Sequence, residues 1–383
     1  MNVPEVKKGE LELYFHIPFC VRKCSYCDFL SAPADEETKR NYMKALLAET
    51  AGSAFQYGDN RVVTVFIGGG TPSVVSEEDI SSLLTVVREK YGLVQGAEVT
   101  IEVNPGSVTY EKLSRYYEAG INRLSIGLQS ADNEELALLG RIHTWEAFME
   151  TYAEARKAGF SNINVDLMSS LPGQKIEGYR KTLGKILALI PPPEHISAYS
   201  LILEEGTPLY DKYEKGCLEL PDEDTDRHMY WETQAILAQN GYGQYEISNY
   251  AKDGFVCIHN CGYWQRRNYV GFGIGAASLV ENVRFKNGTS LERYLKNPLG
   301  CREEIQVLSR KEQMEEFMFL GLRMTEGGSR ERFQELFGCA MESVYGNVMQ
   351  RNIRDGLLKE TGRRIALTEK GMDLSNYVMA QFL

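Results

Sequence analysis

Cys20, Cys24 and Cys27 are spaced Cys-x3-Cys-x2-Cys within eight residues, whereas Cys217, Cys257, Cys261, Cys301 and Cys339 lie scattered over the rest of the 383-residue chain. A disulfide framework is unusual in a large chain without a secretory leader, and crowded cysteines there more often hold metal or do redox work. Three thiolates from one tight loop occupy three corners of a four-iron cubane. The fourth iron then stays open to a small molecule, and an open coordination position separates a reactive site from a structural one. A structural zinc ion is the other reading. It needs a fourth Cys or His, and His16, on the strand side before Pro18, is the residue at hand. Arg22 and Lys23 sit between the cysteines, where positive charge would lower thiol pKa values.

A second stretch, Gly68-Gly69-Gly70-Thr71-Pro72, ends a β-branched run. Glycines let the backbone approach a ligand, and their carbonyls accept from an amino group. No Lys-Ser/Thr follows them, so they do not form a phosphate-binding P-loop.

These residues need a frame. Residues 11–16, 62–67, 98–103, 123–128, 162–167 and 195–200 read as strands, and 36–55, 77–91, 110–119, 145–158 and 176–189 as helices. Alternation of this kind implies a parallel sheet with covering helices. About six β–α units are too few for a closed eight-fold barrel, so the expectation is a partial (β/α)6 barrel over residues 1–205. The cysteine loop follows the first strand, at the barrel mouth where ligand sites of such folds lie. No Gly-x-Gly-x-x-Gly follows that strand, which argues against a Rossmann start. Residues 206–305 read as a β-rich extension covering the open edge of the sheet. Residues 306–383 read as a small winged-helix-like domain: helices at 311–324, 331–337 and 343–355, a hairpin at 357–367 around Glu360-Thr361-Gly362, and a short helix at Lys370. A structural or substrate lid is its simplest role. DNA binding fits poorly with 53 acidic against 42 basic residues and a net charge of −11.

The cysteine loop resembles that of the radical-SAM superfamily. Its flank, Tyr14-Phe15-His16-Ile17-Pro18-Phe19-Cys20, resembles a narrower group that contains anaerobic coproporphyrinogen III oxidase and the HemW-type haem chaperones, and the group's layout fits residues 11–375. The resemblance implies that Cys20, Cys24 and Cys27 bind a 4Fe–4S cluster whose open iron chelates S-adenosylmethionine. It further implies a cofactor pocket of Tyr14, Tyr26, Gly69, Gly70, Thr71, Glu102, Gln129, Arg141 and Asp166. Glu102 and the glycines would meet the methionyl amine, Arg141 the carboxylate and Asp166 the ribose hydroxyls; Tyr14 and Tyr26 would flank cluster and adenine. His16 would orient the cluster loop. Leu171-Pro172-Gly173-Gln174 matches the group, but Ser169-Ser170 precedes it where the group usually shows Tyr-Gly.

Within the group, three features favour the chaperone branch over the oxidase. Phe29 stands where the oxidase has an additional cysteine, only about ten residues precede the first strand, and His259-Asn260-Cys261-Gly262-Tyr263-Trp264 fits the His-Asn-x-x-Tyr-Trp signature of haem-binding members. Imidazole is a good axial ligand for haem iron, and Tyr263 and Trp264 offer flat surface to a porphyrin. A hydrogen-bonded loop histidine is the plainer reading of His259. Cys257 and Cys261 flank it, either as incidental residues or as a second metal or thiol site. The resemblance implies haem passed to respiratory enzymes, and it leaves room for peripheral membrane association and for a homodimer. No apolar run approaches the roughly 20 residues a membrane span needs, and the first ten residues are polar, so the expected location is cytoplasmic.

Overall fold

Apolar β-branched runs and capped helical stretches take turns along the chain from Glu10 to Ser200. The computed structural model describes residues 3–383. Its first elements are β1 (Glu10–Ile17), α1 (Glu36–Tyr57), β2 (Arg61–Gly69), α2 (Glu77–Lys90), β3 (Gly92–Val103), α3 (Tyr110–Glu118) and β4 (Arg123–Gln129). A short α4 (Asn133–Leu138), α5 (Trp145–Lys157), β5 (Ile163–Ser169), α6 (Ile176–Leu187) and β6 (His195–Ser200) follow. Asp35, Ser76, Thr109, Asp132 and Thr144 each accept a backbone N–H of the helix they precede, which satisfies donors the helix itself cannot. Strands β1 to β6 pair in sequence order and all in parallel. Their carboxyl ends therefore lie along one side of the sheet, with the cysteine loop, the glycine turn and the loop carrying Arg141 on that side.

The extension comprises α7 (Pro208–Glu214), α8 (Glu223–Gln239), β7 (Gly243–Glu246), β8 (Asn249–Ala251), α9 (Ile258–Trp264), β9 (Asn268–Phe272), β10 (Ala277–Val280), β11 (Val283–Asn287), α10 (Leu291–Lys296) and β12 (Arg302–Val307). The sequence suggested a cover over one open edge. Instead these strands join the sheet at both ends. β8 and β7 add antiparallel to β6, while β9 lies parallel to β1 and carries β10, β11 and β12 beyond it. The described residues thus form a mixed sheet of twelve strands. Glu49 of α1 ties the added strands to the older part. It is buried and accepts from the Gly273 N–H at 2.9 Å, Asn287 Nδ2 at 2.7 Å and the Tyr294 hydroxyl at 2.6 Å.

The C-terminal part has its own core. It contains α11 (Arg310–Gly321), β13 (Gly328–Ser329), α12 (Arg330–Phe337), α13 (Met341–Arg354), β14 (Leu358–Thr361), β15 (Arg364–Leu367), α14 (Glu369–Asp373) and α15 (Ser375–Ala380). Ser309 and Glu312 form a reciprocal capping box at the start of α11. Phe317, Phe333, Phe337 and Tyr345 pack edge to face or tilted around one another, apart from the core beneath the large sheet. The hairpin β14–β15 turns through Gly362, whose φ of +59° is left-handed, and β13 adds a third antiparallel strand.

Removing the Glu49 carboxylate strands three buried donors. Glu49→Ala is therefore expected to lower stability by about 2 kcal/mol or more in urea unfolding, whereas Glu118→Ala, at an exposed position, is expected to change it by less than about 0.5 kcal/mol.

Candidate functional site

The register of β1 against β2 brings the cysteine loop to the glycine turn. His16 lies opposite Gly68 and Ile17 opposite Gly69. Beyond the strands the pairing continues, with Gly70 N donating to Ile17 O at 2.9 Å and Thr71 N to Phe19 O at 2.7 Å. A Cβ on Gly70 would stand 2.6 Å from Phe19 O and 3.0 Å from Cys20 Sγ, so only glycine permits this approach. At Gly69 the φ of +114° and the His16 ring exclude a side chain in the same way. His16 Nε2 donates to Leu30 O at 2.9 Å, which leaves Nδ1 to accept from the Tyr14 hydroxyl at 3.0 Å. One imidazole thereby staples the far end of the loop to β1. Ser25 N, donating to Leu139 O at 2.9 Å, fixes its middle.

Cys20, Cys24 and Cys27 are free and half-buried. Burial pushes the Cys27 thiol up, and the neighbouring Cys24 and Cys20 add to the shift, so the three sulfurs sense one another. All three project from one short loop between β1 and α1. Three free thiols on one loop are the donor set that an iron–sulfur group takes. The cation against Cys24 is Arg141, with Nη1 3.6 Å from Sγ. Arg22 instead donates to Gly140 O and Lys23 to Phe29 O, and the Lys23 charge pulls against the rise of the Cys27 thiol.

Arg141 is the hub of the next layer. Its Nη2 donates to Asn104 Oδ1 at 2.7 Å and to Gly127 O at 2.5 Å, while its Nε is buried without a partner among the described residues. Asn104 passes the link on by donating to Thr71 Oγ1 at 2.8 Å, and Thr71 in turn lies 3.4 Å from Cys20 Sγ. Gln129, left-handed at φ +75°, closes β4 and turns its amide over Gly127. Tyr26 packs half-buried against Leu139, Met168 and Leu171.

Tyr14, Glu102, Asp166 and His259 line one polar cavity of about 220 Å³. Burial, aided by the charge of Asp166, pushes the Glu102 carboxyl to about 8, although Gly69 N donates to it at 3.1 Å and pulls the other way. Burial also raises Asp166, against hydrogen bonds from Asn164 and Ser125. Two carboxyls that burial raises inside one polar cavity suit a cationic ligand, whose charge would favour their ionised form.

His259 lies on α9, so the segment read as an irregular loop is helical. Cys257, at the N-cap position, offers no cap. Glu98 of β3 does so from across the fold, accepting from Ile258 N at 3.0 Å and His259 N at 3.1 Å. The His259 ring is 1% exposed and stacked on Phe66 at 5.1 Å. Its Nδ1 is 2.7 Å from Thr64 Oγ1, and its Nε2 is 2.9 Å from the Tyr263 hydroxyl. Glu12 lies beneath α9, paired with Arg267 at 2.5 Å, and a Cβ on Gly262 would overlap the Glu12 carboxylate. Sequence reasoning missed Glu12, Thr64, Glu98, Asn104 and Arg267. The signals were a glutamate in each of two apolar strands and an Asn-Pro-Gly at a strand end. Cys257 and Cys261 are buried among Tyr245, Val256 and Met324, burial raises both thiols, and Cys257 Sγ lies 3.6 Å from Glu98 Oε1.

Beside the polar cavity, Tyr14, Tyr263, Trp264, Tyr269, Leu279 and Phe319 line a second, mainly apolar one of about 320 Å³ that Arg284 also borders. Tyr14 and Tyr263 form the wall between the two.

Residues 14–186 match the family model described as Radical SAM superfamily, and residues 308–374 match that of the HemN C-terminal domain. The chain is 39% identical to the haem chaperone HemW of Lactococcus lactis, over 97% of this chain and 96% of the relative. It is 35% identical to the haem chaperone HemW of Escherichia coli, with 99% of both chains covered. Among solved structures, the coproporphyrinogen III oxidase HemN of E. coli superimposes with a TM-score of 0.83 at 24% identity, covering 97% of this chain and 89% of that one, which establishes the likeness of fold. The chain belongs to the radical SAM superfamily and, within it, to the family of the HemW proteins.

Proposed function

We infer that the protein is a haem chaperone built on a radical-SAM scaffold, carrying a 4Fe–4S cluster on Cys20, Cys24 and Cys27 and binding S-adenosylmethionine and haem. The observation that carries this reading is the shared cavity: the helix bearing His259 and Tyr263 lines the same space as Tyr14, Glu102 and Asp166. Relatives over nearly the whole chain bear the haem-chaperone name. When bound, the cluster and its sulfonium ligand supply one-electron reductive cleavage of a carbon–sulfur bond.

This chain's residues do the holding. Glu102 and the Gly69–Thr71 backbone receive the ligand ammonium, Arg141 its carboxylate and Asp166 the ribose hydroxyls. Gln129, Tyr14 and Tyr26 bound the pocket. The partnerless Nε of Arg141 supports that assignment, because a buried guanidinium N–H without an acceptor wants an anion. His259 is the proposed haem ligand, reached when the Tyr263 hydroxyl leaves Nε2. The proposed units are a partial (β/α)6 barrel over 1–205, the haem-associated extension over 206–305 and a winged-helix-like lid over 306–383. The proposed recipients of haem are respiratory enzymes.

Glu102 sits near 8 without ligand, so at pH 7 it is largely protonated. An ammonium beside it lowers that value, and binding must release the proton. Calorimetry of S-adenosylhomocysteine binding at pH 7, in buffers of different ionisation enthalpy, is expected to show release approaching one proton. Glu102→Gln is expected to abolish it.

For haem, titration of the full chain is expected to give a shifted Soret band, and His259→Ala is expected to weaken binding by about tenfold or more. Anoxic incubation with reductant, S-adenosylmethionine and coproporphyrinogen III is expected to yield no vinyl product; such a product would establish the oxidase reading instead.

A further inference from the structure

The apolar cavity of about 320 Å³ takes a wall from each part of the chain. Tyr14 comes from β1, Tyr263 and Trp264 from α9, Tyr269 from β9, and Phe319 and Leu320 from α11 of the C-terminal part. Helical spacing sorts the residues of α11. Met314, Phe317 and Met318 belong to the C-terminal core. Glu316, Phe319 and Leu320, at i, i+3 and i+4, share a stripe that meets the added strands and the cavity.

Arg284 of β11 supplies the charge at the cavity's border. Its Nη2 donates to Glu316 Oε1 at 2.5 Å. That carboxylate already has a partner, for Arg266 Nε donates to Oε2 at 3.0 Å. Arg266, with its side chain 6% exposed and a second bond to Asn282 Oδ1 at 3.2 Å, is enough to hold and compensate Glu316. Two guanidiniums on one carboxylate leave one positive charge over within this cluster, and the two cations repel each other. Arg284 is its open half. The side chain is 41% exposed, and Glu316 is its one hydrogen-bond partner among the described residues. A guanidinium has five N–H donors in a planar fork, so Arg284 keeps donors for a second anion. Flat aromatic walls with one cationic corner suit a planar apolar ligand that carries a carboxylate. A porphyrin with propionate arms has that chemistry.

We propose that the apolar cavity seats the porphyrin ring of the cargo, that Arg284 binds one of its propionate carboxylates, and that α11 is the wall closing over the ring. The proposal rests on the haem-chaperone reading and adds to it where the cargo lies. Tyr14 and Tyr263 separate the seat from the cavity of Glu102 and Asp166, so the two ligands are sorted by charge. An ammonium meets carboxyls on one side of the wall, and a carboxylate meets an arginine on the other. Tyr263 also contacts His259 Nε2 at 2.9 Å, so moving this one side chain connects a seated iron with the imidazole. The C-terminal part is then a piece of the binding site.

Metal-free protoporphyrin IX and its dimethyl ester separate the ring from the carboxylates. Each is titrated into the full chain and followed by porphyrin fluorescence. The wild type is expected to bind the diacid about tenfold more tightly than the diester, the scale of one partly exposed charge-assisted hydrogen bond. Arg284→Leu is expected to erase that preference and to leave diester binding within about twofold. Arg284→Lys, which keeps the charge and loses the fork, is expected to retain part of it. Phe319→Ala is expected to weaken both ligands alike. Equal binding of diacid and diester by the wild type, or a full preference in Arg284→Leu, overturns the carboxylate subsite. Should Arg284→Leu fail to fold, the wild-type comparison and Arg284→Lys decide, an undiminished preference in the lysine variant counting against the proposal. Unchanged binding in Phe319→Ala overturns the role of α11. A His259-dependent Soret shift with no diacid preference would sink the seat and leave the chaperone reading standing. An Arg284-dependent preference without any haem binding would do the reverse.

Discussion

The parallel pairing of β1 with β2 is the constraint on which the rest of the site depends. It sets His16 opposite Gly68 and Ile17 opposite Gly69, and the backbone bonds continue past both strands, so the cysteine loop has a fixed floor. A tight backbone approach needs glycine below and a clamp above. Gly69 and Gly70 provide the first and His16 the second. The pocket follows from the same geometry: Thr71 touches Cys20, Asn104 touches Thr71, and Arg141 joins Asn104 to Cys24. A change at any member of that chain reaches the sulfurs.

A second constraint operates lower in the sheet, where charges are buried at evident cost. Glu12, Glu98, Arg123 and Arg267 are at most 6% exposed. Buried ion pairs seldom add stability over apolar residues of equal size, whereas removing one partner is strongly destabilising. Their value here is placement. Glu12, Glu98 and Arg267 hold a seven-residue helix that is too short to stand by itself and that carries His259, Tyr263 and Trp264 to the cavity walls. The Glu49 cluster does comparable work for β9 to β11. The added strands are thus keyed to the parallel sheet by buried carboxylates as well as by apolar packing.

What could be read from the residues alone follows the range of the interaction. The cysteine spacing, the glycine turn, the strand ends carrying Glu102, Gln129 and Asp166, and the alternation that makes the α/β fold are all local patterns. Helix starts were legible for the same reason, since Ser76 or Thr144 caps a helix a few residues away. The helix at His259 was not: its cap is Glu98, some 160 residues earlier, and its sequence has no helical period. Glu12 with Arg267 spans 255 positions, and nothing near Glu12 announces the partner. Strands at both ends of the sheet were missed because short runs such as Asn249–Ala251 declare no neighbour. Asn104 read as a turn residue and serves as a bridge.

The central claim is that Cys20, Cys24 and Cys27 together hold one cluster of four irons. Iron and sulfide per chain, measured after anoxic reconstitution of the wild type and of each single cysteine-to-alanine variant, test it most directly. About four irons are expected in the wild type and in Cys217→Ala, an exposed thiol outside the loop, with loss of the cluster in each of the three loop variants. A full complement of iron and sulfide in any loop variant would contradict the account.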